Sequence, residues 1–116
     1  MFSPLTDLAS LTDTRLDRLH LYGIVTRVMR PPFQCVNGDN HGITFKLASL
    51  TDPSVQRNCI YFASTKEGLP KVWAGSIFEV VNAKYTRHHR YGWEIRVSPY
   101  MNARWQAIPF LLQRQS

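Results

Sequence analysis

His88 and His89 stand side by side in KYTRHHRYGWEIRV, residues 84–97, among four basic residues and the rings of Tyr85, Tyr91 and Trp93. Paired imidazoles suggest metal ligation or acid–base work, and both need partners. A structural zinc takes four ligands. His20 and His41 are remote in sequence, and neighbouring residues of an extended chain point to opposite sides. Cys35 and Cys59 are the only cysteines and form no CxxC pair, so neither a zinc cassette nor a disulfide scaffold is indicated. No GxSxG, Walker loop, HExxH or cluster of carboxylates is present, and Asp39 and Asp52 lie in turn sequences where Asp is a default choice. The expectation is a non-enzymatic protein with no metal or cofactor. What the segment does offer is cations interleaved with aromatic planes, which suits unstacked bases and phosphates.

The charge supports a polyanionic partner. The chain of 116 residues carries a formal net charge of +6. Residues 84–104 hold Lys84, Arg87, Arg90, Arg96 and Arg104 against Glu94 alone, whereas residues 1–20 balance Asp7, Asp13 and Asp17 with Arg15 and Arg18. Lys and Arg that neutralise phosphates release condensed counterions, although basic charge also serves solubility. No apolar run approaches the roughly 20 residues of a membrane span. The opening MFSPLTDLAS lacks the basic and long apolar regions of a signal peptide. A cytosolic or nuclear protein with neither a membrane nor a small-molecule partner is expected.

These residues must be positioned by short strands. SPLTDLASL reads as a helical turn with Ser3 as N-cap and Pro4 in the first position, and Leu5, Leu8 and Leu11 are spaced to plug the end of a small barrel. Strands are expected over 19–29, 43–50, 58–64, 77–86 and 93–99. Gly23 marks a bulge or sharp coil in the first, and RPPF ends it because proline cannot donate to a ladder. The segment TKEGLPKVWAGS, 65–76, reads as a connector with one or two helical turns over 69–73. Five strands with one long connection after the third is the layout of an OB-fold, a Greek-key barrel whose ligands lie across strands two and three and against the loops joining strands one–two and four–five. The chain is then all-β with minor helix in one domain: a helical turn over 1–18, the barrel over 19–98, and a tail over 99–116 packing back on it.

Four segments in order, SPLTDL, LYGIVTRVMRPPF, CIYFAS and LPKVWAGSIFEVVNAKY, resemble the first OB-fold of the protection-of-telomeres proteins, which bind single-stranded DNA at chromosome ends. The resemblance spans residues 3 to about 98, and its most specific piece runs from Tyr22 to Pro32. There are departures. The family's Gly-Asp after the connector is Gly75-Ser76, a basic residue early in strand four is Glu79, and a stacking aromatic near the end of strand one corresponds to Val28 or Met29. A stacking tyrosine after strand four falls on His88 or Tyr85, depending on the gap chosen.

Alternation in NCIYFAS sets Cys59, Tyr61 and Ala63 against Asn58, Ile60 and Phe62. One of Tyr61 and Phe62 faces outward, and the residues alone leave the choice open; the resemblance implies Phe62 as a base-stacking ring. It also implies a contact from the basic residue before Pro-Pro, Arg30, with Arg27 beside it. Ile43, Phe45 and Leu47 should face the core, which turns Lys46 outward as a phosphate contact or as plain surface charge. Trp93 begins the core face of strand five. The expected interface is Arg27, Arg30, Lys46, Phe62, Lys84, Tyr85, Arg87, His88, Arg90 and Tyr91, with His89 facing solvent. The resemblance implies a G-rich telomeric single strand as partner, possible telomere-complex proteins besides, a location at chromosome ends in the nucleus, and a role in end protection and length control. A protein-recruiting OB-fold, with AIPFLL as docking segment, and single-stranded RNA binding are the alternatives.

Overall fold

The computed structural model describes residues 5–36 and 38–110. It is built almost wholly of strands: β1 (Leu5–Asp7), β2 (Leu16–Gln34), β3 (His41–Ala48), β4 (Gln56–Ala63), β5 (Ser76–His88), β6 (Gly92–Val97) and β7 (Arg104–Pro109), with single 3-10 turns at Leu8–Ser10, Lys66–Gly68 and Pro99–Met101. β2 pairs antiparallel with β3, β3 with β4, β6 with β5 and β5 with β2, while β4 pairs parallel with β6. These five pairings close a ring. β1 extends it as a parallel neighbour of β2, and β7 as an antiparallel neighbour of β5.

The five expected strands are β2 to β6. β1 and β7 are additional, because the N-terminal segment and the tail both run as strands. Leu5–Asp7 lies beside His20–Tyr22 where a helical turn is expected. Leu8 and Leu11 still fill the core, whereas Leu5, on an edge strand, is exposed. Ser3, Pro4, Leu111 and Leu112 lie outside the described residues. The connector after β4 has a 3-10 turn at Lys66–Gly68, capped by the Thr65 hydroxyl, and no helix over 69–73. Pro70 sits inside that stretch and cannot donate an intrahelical bond.

Alternation of strand residues fills the ring. Leu21, Val25, Phe45, Leu47, Cys59, Phe78, Val80, Ile95 and Val97 are buried together, with Phe45 and Phe78 edge to face at 4.9 Å. Gly23 is not at a bulge: its register with Phe78 is regular. It is glycine because a Cβ there would lie 2.8 Å from Leu8 Cδ1 and 2.9 Å from the Ala48 carbonyl oxygen. Leu8 thus seats against bare backbone.

Two irregularities set the outer surface. In β5 the buried residues are Ser76, Phe78 and Val80, then Ala83 and Tyr85; Asn82, at φ 66°, shifts the alternation by one. In β2 the ladder to β3 gains one residue between Val25 and Arg27, another between Val28 and Arg30, and a third between Arg30 and Phe33. Pro31 and Pro32 fall in the last of these bulges. They do not end the strand, because a bulged residue owes no ladder hydrogen bond.

Candidate nucleic-acid interface

Register across the ring sorts the outward residues into rows. Arg27 pairs with Lys46, Lys46 with Asn58, Asn58 with Glu94, and Glu94 with Thr86. The next row runs Arg30, Thr44, Ile60, Arg96, Lys84. A third runs Phe33, Gly42, Phe62. Cross-strand partners share a face, so one broad surface over β3, β4 and β6 carries cations on both flanks and aromatic rings at one end.

The rings and guanidinium groups there touch in sequence. The Arg30 guanidinium lies 3.7 Å from the Phe33 ring centroid. Phe33 meets Phe62 edge to face at 6.4 Å, and the Arg96 guanidinium lies 5.2 Å from the Phe62 centroid. Gly42 makes room, since a Cβ on it would come within 2.6 Å of Phe33 Cζ. Beside this run lie two recesses. One, of about 330 Å³, is lined by Cys35, Asn40, Phe62, Arg96, Pro99 and Tyr100 among others. The other, of about 320 Å³, is lined by Met29, Arg30, Thr44, Asn58, Ile60, Tyr91 and Glu94. Tyr100, 80% exposed, and Tyr91, 64% exposed, stand at their edges.

His88 ends β5 and stands at the turn into β6, beside this face. Its Nδ1 accepts the backbone N–H groups of Arg90 and Tyr91, at 3.1 and 3.3 Å, and so builds the β5–β6 turn. Its ring stacks on His89 at 4.4 Å and on Tyr91 at 4.8 Å. It is the shared ring of this stack and presents Tyr91 to the recess; it is not itself an open platform. His89 is exposed. Among the described residues, no group of three or more His, Cys, Asp or Glu side chains is arranged to hold a metal.

The structure therefore gathers Arg27, Arg30, Lys46, Phe62 and Lys84 on one face, with His88, Arg90 and Tyr91 in the turn beside it. Two expected residues belong elsewhere. Tyr85 is only 2% exposed and stacks on Trp93 inside the ring at 5.3 Å. Burial pushes its hydroxyl pKa up, against the pull of the neighbouring Arg57. Arg87 is the register partner of Trp93, so it projects from the opposite side of β5 to Lys84 and Thr86. Glu79, which departs from the family's basic residue, lies 3.5 Å from His20 on the β2–β5 side.

Phe33, Arg96, Asn58, Glu94 and Tyr100 are members that the sequence reading misses. Arg96 and Glu94 were within reach, since alternation in WEIRV turns both outward from Trp93, Ile95 and Val97. Phe33 was not: only three successive bulges bring residues 27, 30 and 33 to one face. Cys59, beneath the surface, is fully buried, and desolvation first, with Glu94 second, raises its thiol pKa far above the ordinary value, so it is a packing residue.

Comparison with protein-family models and with curated proteins gives no match. Solved structures share the architecture. The OB domain of Ta0387 from Thermoplasma acidophilum superposes with a TM-score of 0.64 at 8% identity, over 97% of this chain and 93% of that one. A Pot1 (protection of telomere) complex with single-stranded DNA gives 0.68 at 19% identity, over 86% of this chain and 58% of that one. Fission yeast Pot1 with single-stranded DNA gives 0.69 at 17% identity, over 86% and 32%. This chain thus spans roughly a third to somewhat over half of the two Pot1 chains, and these likenesses show that its fold is that of OB domains.

Proposed function

We propose that this chain binds single-stranded DNA across the outer face of β3, β4 and β6, with selectivity for a G-rich telomeric strand and a role in protecting chromosome ends. The observation that carries the reading is the contact run Arg30–Phe33–Phe62–Arg96. Alternating guanidinium and ring planes on an open sheet face bind unpaired bases by stacking and cation–π contact while the same cations meet phosphates. A duplex hides its base faces and gains little from such a surface. Resemblance to the protection-of-telomeres family and likeness in fold to Pot1 complexes with single-stranded DNA support the choice of partner. No metal or catalytic constellation enters the reading, which treats the protein as a binding module at telomeres in the nucleus. The five-strand ring is read as the Greek-key barrel of that module.

Fluorescence anisotropy with a G-rich single strand, its complement, their duplex and the RNA equivalent tests it. Binding to the G-rich DNA strand in preference to the other three is expected. Equal or tighter binding to RNA would transfer the reading to RNA, and failure to bind any single strand at low salt would remove it.

A further inference from the structure

One group sits awkwardly on this basic face. Glu94 lies in its middle, registered between Asn58 and Thr86, and its side chain is 92% buried by its 8% exposure. A buried carboxylate is costly unless it is paired. Here Oε1 accepts from Arg96 Nη1 at 3.3 Å, and no hydrogen bond to Oε2 is formed among the described residues. The Asn58 side chain likewise makes no hydrogen bond among them. Both residues line the recess walled by Thr44, Ile60 and Tyr91. A carboxylate there repels a phosphate, so the strand's backbone must pass to either side, over Arg27 and Lys46 or over Lys84, and a base must fill the recess.

We infer that Glu94, with Asn58, selects guanine at this recess. The inference rests on the single-strand reading above. Among the four bases only guanine presents two adjacent donors, N1–H and N2–H, beside an acceptor, O6. An ionised carboxylate is acceptor-only and takes two parallel N–H groups, while an Asn amide donates to a carbonyl oxygen. Cytosine presents two acceptors beside one donor, and thymine two acceptors flanking one; each sets an acceptor against the carboxylate. Adenine offers a single donor on that edge. Tyr91, held by His88, supplies a ring to cover the base, and Ile60 an apolar floor.

The test uses thymine-rich single strands carrying one guanine, scanned by position, with inosine, 2-aminopurine, 7-deazaguanine or adenine replacing it. Inosine lacks the N2 donor, 2-aminopurine lacks O6 and N1–H, and 7-deazaguanine keeps the whole edge. At one position the wild-type protein should bind guanine and 7-deazaguanine alike and inosine about tenfold more weakly, as expected for losing one of a bidentate pair. Glu94→Gln, its fold checked by circular dichroism and melting temperature, should bring the guanine-to-inosine ratio close to one. Strands that bind without any guanine–inosine difference in the wild-type protein overturn the inference and leave the proposed function standing. This arm needs no variant to fold. An unchanged ratio in a folded Glu94→Gln protein overturns it equally. Absence of all single-strand binding removes both.

Discussion

At the scale of single residues, Phe62 and Tyr85 separate what the surface does from what the core does. Phe62 lies between Phe33 and the Arg96 guanidinium on the open face, and a base stacked on such a ring contributes about 1–3 kcal/mol. Phe62→Ala should weaken single-strand binding about tenfold or more in anisotropy titrations, with little change in melting temperature. Tyr85 is the opposite case. Tyr85→Phe should leave binding unchanged, while Tyr85→Ala should destabilise the fold by on the order of 3–5 kcal/mol in chemical denaturation, as for other large buried aromatics. A Tyr85→Phe protein with tenfold weaker binding would restore that hydroxyl to the interface.

At the scale of elements, the bulges decide which side chains share a face. The Phe33 ring rests on Gly42 because β2 has gained three residues against β3. Gly42→Ala should push the ring aside without unfolding the protein, since the clash is with the free tip of the ring, and single-strand affinity should fall several-fold toward that of Phe33→Ala. The β1 strand is tied down differently. Asp7 accepts hydrogen bonds from the Thr51 hydroxyl and, at 2.8 Å, from the Ser49 hydroxyl in the β3–β4 turn. The Thr51 hydroxyl does most to hold its carboxyl below the ordinary value of 3.8, with burial opposing. A pKa lowered in the folded state stabilises above the unfolded value and is lost as pH falls through the folded one. Wild type should therefore melt above Asp7→Asn at neutral pH, and the gap should close as pH drops below 3.8. A constant gap down to strong acid would contradict the ionised role.

These same devices mark how far the sequence could be read. Alternation in ITFKL, NCIYFAS and WEIRV was enough to separate the two faces of β3, β4 and β6, because those strands run without interruption; it turned Lys46 outward and set Arg96 opposite Ile95 and Val97, and left only the choice between Tyr61 and Phe62 to the family resemblance. It failed on β5, where strict period two from Phe78 and Val80 would bury Lys84 and expose Tyr85. Only the left-handed backbone at Asn82 reverses that order, and no residue pattern requires it. β1 and β7 were missed for another reason. Each is short and lies at an edge, and each becomes a strand only because β2 and β5 offer it an unpaired side.

At the scale of the whole molecule, the positive charge surrounds the proposed path of the strand and does not fill it. Arg27, Arg30 and Lys46 lie on one flank, Lys84 and Arg96 on the other, with Glu94 and Asn58 between. Affinity should fall with salt, with a log–log slope of about −0.7 for each phosphate neutralised, and Lys46→Ala or Lys84→Ala should flatten it by roughly that amount. The placement itself is tested most directly by a titration of isotope-labelled protein with a G-rich single strand, followed residue by residue in amide NMR spectra. The account predicts that the largest shifts fall on Thr44, Lys46, Asn58 to Phe62, Glu94, Arg96 and the turn at 88–91. Shifts confined to the β1, β5 and β7 side of the ring, around Glu79 and Gln106, would contradict it.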